Sequence, residues 1–298
     1  MGVFIIIFLC FKGELMEKSF SEILTESFAV FKKSIPFFLK ILGVCIGGVG
    51  LSIIAILLTL GTPFIKNIDN SAYVQNYLSS TSGTTGLFIT IIFFFLFVLS
   101  YVCYCSTILV VRNHVMGKED SLKALFIESL RKFWKVFLTW VIIVVLLLIL
   151  MSAEMALPFV IFTTKHAALA LIVAIPLIFI TILAILPPCF TVFYGILCSE
   201  GRFLTVLKES TRLGFQKWLK IVIYTVLIML ICSLPLGMIM GSLFYVFQMV
   251  NMMILGNVLS FVLQIIIGIF SACFFTVFYL DISGTTAKED LPVPTMPQ

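Results

Sequence analysis

Charge is scarce in this chain. Only 11% of its 298 residues are Asp, Glu, Lys or Arg, against roughly 25% in a soluble domain. No polar stretch is longer than the loop at 63–85, which leaves no room for an ordinary soluble domain. Cysteine motifs are missing too. The eight cysteines (Cys10, Cys45, Cys103, Cys105, Cys189, Cys198, Cys232, Cys273) lie mostly inside apolar runs without a CxxC, so neither a disulfide framework nor a zinc site is expected. They read as small packing residues. Catalytic signatures are equally absent: there is no GxSxG, HExxH, Gly-rich phosphate loop or paired-acid motif. No enzyme activity, metal or cofactor is therefore expected. The N-terminus, MGVFIIIFLCFKGELMEKSF, lacks the basic start and small-residue cleavage site of a signal peptide. Its apolar run of about ten residues is half of what a spanning helix needs. Either translation begins at Met16, or residues 1–18 form a small interfacial anchor.

What the chain has is hydrophobicity, at 61% apolar residues with 31 Phe and a mean hydropathy of +1.22. Apolar runs long enough to cross a bilayer occur at about 37–62, 86–111, 136–162, 167–198, 219–247 and 253–280. Pro176 and Pro187-Pro188 predict a kink or break in the fourth. The fold expected is all-α and integral to the membrane, with six transmembrane helices over 19–283 and a cytoplasmic tail at 284–298. Of the 19 Lys and Arg, only Lys66 and Lys165 fall outside if both termini are cytoplasmic, which sets that orientation in a plasma membrane. His114 and His166 then sit on opposite faces and cannot act together. The outer loop Pro63–Thr85 reads as a solvated connector, or as a cap over a site.

Three charged segments interrupt the apolar runs: SFSEILTESFAVFKKSIPFF, DSLKALFIESLRKFWKVFL and GRFLTVLKESTRLGFQKWL. Each carries Glu-Ser at the same place, as Glu26-Ser27, Glu128-Ser129 and Glu209-Ser210. Helical spacing sets Phe20, Ile23, Leu24, Phe28 and Phe31 on one face of the first. It sets Leu122, Leu125, Phe126, Leu130 and Phe133 together in the second, and Phe203, Val206, Leu207 and Leu213 in the third. Amphipathic interfacial helices are expected at about 20–34, 120–134 and 202–216. Ser19 with Glu22 has capping-box spacing, and Asp120 stands where the second helix needs an N-cap. The serines, at the apolar edge, are expected to pack. The unit, an interfacial helix and then a transmembrane hairpin, occurs three times in parallel.

Lys32, Lys33, Arg131, Lys132, Lys135, Lys208, Arg212 and Lys217 are the candidate lipid-contacting cations. Each contributes on the order of 1 kcal/mol beside anionic lipid. The net charge of +5 is spread beside apolar runs, so the partner expected is the anionic cytoplasmic leaflet, with membrane proteins as further partners and no nucleic acid. Intramembrane polar residues default to functional candidates. Glu154 is the acid set well inside an apolar run, near its outer end, where water access competes with a proton or cation site. Gln264 lies in the last span, near Gln248, Asn251 and Asn257, where interhelical hydrogen bonding is the simpler role. Gly43, Gly47 and Gly50 give the first span a small-residue face, for internal packing or for a second subunit. Two functions remain open: a non-catalytic protein organising or regulating partners or lipids, and a transporter or lipid-handling channel around a pseudo-threefold axis.

The stretch CSEGRFLTVLKESTRLGFQKWLK, with its acidic turn and Glu-Ser before the next span, resembles the membrane domain attached to some glycerophosphoryl diester phosphodiesterases. The ending FFTVFYLDIS is similar to that family's closing Tyr and, two positions on, Asp, here Tyr279 and Asp281. The family often continues with Arg, which Ile282 and Ser283 do not supply. The resemblance covers about Ser19 to Ser283. It implies a six-span fold with interfacial helices and no activity of its own, because the catalytic barrel of the bifunctional members is absent from this sequence.

Overall fold

Inside a bilayer no water reaches the backbone, so a chain this apolar must satisfy its amides and carbonyls within helices. The computed structural model describes residues 18–67, 83–118, 121–163, 167–249 and 253–284, with positions 70, 72 and 76. Its helices run α1 (Phe20–Lys66, kinked at Gly61 where φ is +79), α2 (Gly83–Val115), α3 (Leu122–Thr163), α4 (Ala167–Cys198), α5 (Phe203–Gln216), α6 (Trp218–Met249) and α7 (Met253–Ile282). No strand occurs among the described residues. All but α5 contain a segment long and apolar enough to cross a membrane: Phe20–Gly61, Thr85–Val115, Leu122–Ser152, Ile172–Cys198, Trp218–Ser242 and Leu259–Ile282. The chain is thus an all-α multi-pass membrane protein. The N-terminal extension with Met16, Asp120, His166, Asn251 and the tail from 285 lie outside the described residues.

Two of the three interfacial helices are not separate elements. The segment at 20–34 and, from Leu122 on, the segment at 120–134 are the first turns of α1 and α3, which continue into their spans. The reason is register. Ile23, Ser27, Ser34, Phe38 and Ile41 are all buried and recur at helical spacing on one face, so one straight helix keeps the same stripe against its neighbours. Leu125, Ser129, Phe133 and Val136 do the same in α3. Pro36 falls inside α1 without ending it. The third segment does form its own helix: at Lys217 the backbone leaves helical geometry, its N–H caps the Leu213 carbonyl at 2.9 Å, and α6 starts at Trp218. Phe28 and Leu130, assigned to the apolar faces from spacing, point outward, 61% and 55% exposed.

Local signals set the ends. Ser19 N–H donates to Glu22 at 2.6 Å and Glu22 N–H to Ser19 Oγ at 3.4 Å, the expected capping box. At α3 the cap is Ser121, whose Oγ accepts from Ala124 N–H at 3.3 Å. Gly117, at φ +67, closes α2 and lets Lys118 N–H reach back to the Asn113 carbonyl at 2.9 Å. In α4 the helix continues through Pro187-Pro188. Pro187 has no N–H for the Leu183 carbonyl, and the indole N–H of Trp218 takes its place at 2.8 Å.

The core sits toward one end of the bundle. Buried side chains run from Val102 to Asn113 on α2 with Tyr104 the exception, along α4 from Val192 to Cys198 with Phe193 half-buried, and through most of Ala272–Ile282 on α7. α1 packs on α2 and α7, α3 on α4 and α2, α5 on α4, and α6 on α7. Phe20, Tyr224, Phe274 and Phe278 interlock there, with Phe20 edge-on to Tyr224 at 5.2 Å and Tyr224 to Phe278 at 5.0 Å. Beyond it the helices present outward apolar side chains such as Leu51, Leu58 and Met238, a surface suited to lipid. A Cβ on Gly43, Gly47 or Gly50 would meet nothing from another helix within 4 Å, whereas one on Gly48 would collide with Leu99. The close helix contact in this stretch falls on the adjacent face, so of the two roles expected for the stripe, internal packing is not the one seen.

Candidate functional site

The packed end is also the basic end, and its polar residues form a connected cluster. Arg112, 4% exposed, is held by the last turns of α2, where the helix ends and a guanidinium can turn back over the bundle. It forks onto Glu128 of α3 at 2.9 and 3.2 Å, donates to Asn113 Oδ1 at 2.8 Å and reaches the Leu197 carbonyl at 3.3 Å. Lys132, one turn after Glu128, pairs with it at 2.9 Å and donates to the same Leu197 carbonyl at 2.5 Å. The carbonyls at the end of α4 have no helical partner and carry the negative end of the helix dipole, so two cations are well placed there. A bidentate Arg pair with its remaining donors used is the arrangement that offsets desolvation.

The three Glu-Ser positions share one register. Ser27, Ser129 and Ser210 are all buried: Ser27 Oγ donates to the Ile23 carbonyl at 2.6 Å, Ser129 and Ser106 hydroxyls meet at 2.9 Å, and Ser210 faces Gly195 and the Tyr279 hydroxyl. They lie within the packed stripe, not at its edge. The glutamates before them differ. Glu26 pairs with Lys18 at 2.6 Å, Glu128 with Arg112 and Lys132, and Glu209 is exposed with no ion pair among the described residues.

Helix α5 approaches α4 through small residues on both sides. A Cβ on Gly195 would fall on the Ser210 hydroxyl, and one on Gly214 would lie 2.6 Å from Pro188 Cα. Thr191 Oγ1 ties the two helices by donating to the Ser210 carbonyl at 2.7 Å. Tyr279 stacks beside Tyr194 at 6.2 Å, its hydroxyl against Ser210 and Ser199. Asp281, 7% exposed, accepts from the Lys18 backbone N–H at 3.3 Å and from Lys220 at 3.5 Å. Lys220 also lies over the Tyr224 ring, 5.4 Å from its centroid. Burial first, then the neighbouring Lys220, holds the Lys217 amine below the ordinary lysine range, with Asp281 pulling the other way.

The candidate cations therefore divide. Lys32, Lys33, Arg131, Lys135, Lys208 and Arg212 are exposed and have no carboxylate partner among the described residues. Lys132 belongs to the buried cluster, and Lys217 is half-buried beside Lys220. The intramembrane candidates do not join them. Gln264 lies on the outward side of α7 with its amide 3.8 Å from Met240 Sδ, and the Glu154 side chain lies outside the described ones, as do those of Gln248 and Asn257. No group of three His, Cys, Asp or Glu able to hold a metal occurs among the described residues.

Spacing alone missed Arg112, Asn113, Lys220 and His114, which lies against Ser34 Oγ at 2.5 Å. Arg112 enters the sequence reading only among the 19 Lys and Arg that set the orientation. Its one signal was the short α2–α3 turn, which brings it back beside Glu128, itself four residues before Lys132. Comparison with protein-family models, with curated proteins and with solved structures returns no match.

Proposed function

We propose that this chain is a non-catalytic multi-pass membrane protein whose basic end faces the cytoplasm and gathers anionic lipids or membrane partners. One observation carries the reading. At that end the carboxylates of Glu26, Glu128 and Asp281 are each taken up by a cation, while six cations from three segments, Lys32, Lys33, Arg131, Lys135, Lys208 and Arg212, remain outward and unpaired among the described residues. Near an anionic leaflet each adds on the order of 1 kcal/mol of attraction. The shared register of the three buried serines supports a threefold repeat. The Glu-Ser and Tyr-x-Asp pattern of the sequence is what supports kinship with the membrane domain of glycerophosphoryl diester phosphodiesterases.

The test is crosslinking of the full chain in its native membrane, with identification of bound lipids and proteins. Arg131→Glu, Lys135→Glu and Arg212→Glu together should strip the anionic lipid and partner crosslinks seen with the wild type. An unchanged pattern would refute the reading. Transport would replace it if Glu154→Gln abolished uptake of a solute or lipid movement while those crosslinks persisted.

A further inference from the structure

A cleft of about 580 Å³ opens between the first turns of α3 and the α4–α5 turn. Its volume is in the range of small-ligand sites, and its walls have two characters. One is cationic: Arg131 and Lys135 stand four residues apart on α3, on one helix face, with Lys132 beside them. The other is apolar, formed by Ala124, Ile127, Ile196, Phe203 and Val206.

The acids of the cleft do not cancel those cations. Glu128 is already shared between Arg112 and Lys132, and Lys132 is further fixed on the Leu197 carbonyl. Glu200 makes no ion pair among the described residues and is exposed. Arg131 and Lys135 are thus the two cations with donors to spare. A guanidinium fork and a nearby ammonium suit a phosphoryl group, and the apolar wall suits the glycerol and upper acyl chain of an amphiphile.

We propose that this cleft binds the phosphoryl headgroup of an anionic phospholipid, with Arg131 and Lys135 as its ligands and the Arg112–Glu128–Lys132 cluster as the frame that positions them. The proposal rests on the lipid-gathering reading above and assigns it a site. A free phosphate would satisfy the cations but leave the apolar wall unused.

Native mass spectrometry of the detergent-purified full chain tests it, titrating phosphatidylglycerol or phosphatidylcholine of matched acyl chains, with inorganic phosphate as competitor. Arg131→Gln with Lys135→Gln should weaken phosphatidylglycerol binding at least about tenfold and leave phosphatidylcholine unchanged. Lys40→Gln with Lys123→Gln, both exposed, outside the cleft and outside the outward set named above, should keep wild-type affinity. Equal loss in both double variants, or none in the first, would overturn the site while leaving the lipid-gathering reading intact. Full displacement by inorganic phosphate would overturn the lipid assignment. A wild type with no preference for phosphatidylglycerol would overturn site and reading together.

Discussion

Trp218 illustrates how single side chains repair what the sequence breaks. Pro187 leaves the Leu183 carbonyl without its helical donor, and the indole N–H supplies one at 2.8 Å. Trp218→Phe should therefore cost about 1–3 kcal/mol, the penalty of a buried acceptor left unpaired. In a Pro187→Ala background the backbone N–H returns, and the same change should cost much less. Thermal unfolding of the four variants in detergent measures both losses; equal losses would contradict the account. The contrast with Ser19 and Glu22 shows what was legible at this scale. Their capping box is a contact between neighbours three residues apart, so spacing reveals it. Trp218 and Leu183 are 35 positions apart, and only the packing of α6 against α4 joins them.

At the level of elements, hydropathy locates the six spans because burial in lipid demands long apolar helices whatever their partners. It cannot decide where a helix ends. The amphipathic pattern suggested an interfacial helix at 20–34 separate from the span at 37–62, yet the stripe from Ile23 to Ile41 stays in register, and α1 runs through both. Spacing likewise pointed to the glycine stripe of α1 as a packed face. On α1 the close contact falls on Gly48, off that stripe, and the tight backbone approach is between α4 and α5, where Gly214 meets Pro188 backbone and Thr191 Oγ1, each 2.6 Å from a Cβ placed there. Backbone cannot yield as a flexible side chain does, so Gly214→Ala should destabilise by about 1–3 kcal/mol through overpacking. Gly43→Ala, with open space around it, should be neutral or gain up to about 1 kcal/mol of helix propensity. Unfolding midpoints in one detergent rank the two, and the reverse order would remove the small-residue contact from the account.

For the whole molecule, composition establishes the membrane class, and the distribution of Lys and Arg marks one end as basic. How that end is locked was not legible, because its bonds join distant parts of the chain: Lys18 N–H to Asp281 spans 263 positions, and Arg112 to Leu197 spans 85. The same locking separates structural cations such as Arg112, Lys132 and Lys220 from those left outward. The lipid-gathering reading requires this outward set to lie on the cytoplasmic side. Lys208 is exposed on α5, and the described native cysteines are buried or half-buried, so Lys208→Cys gives a clean reporter for a membrane-impermeant maleimide. Labelling above the wild-type background should appear only after the cells are opened; labelling on intact cells would place the basic end outside and contradict the account.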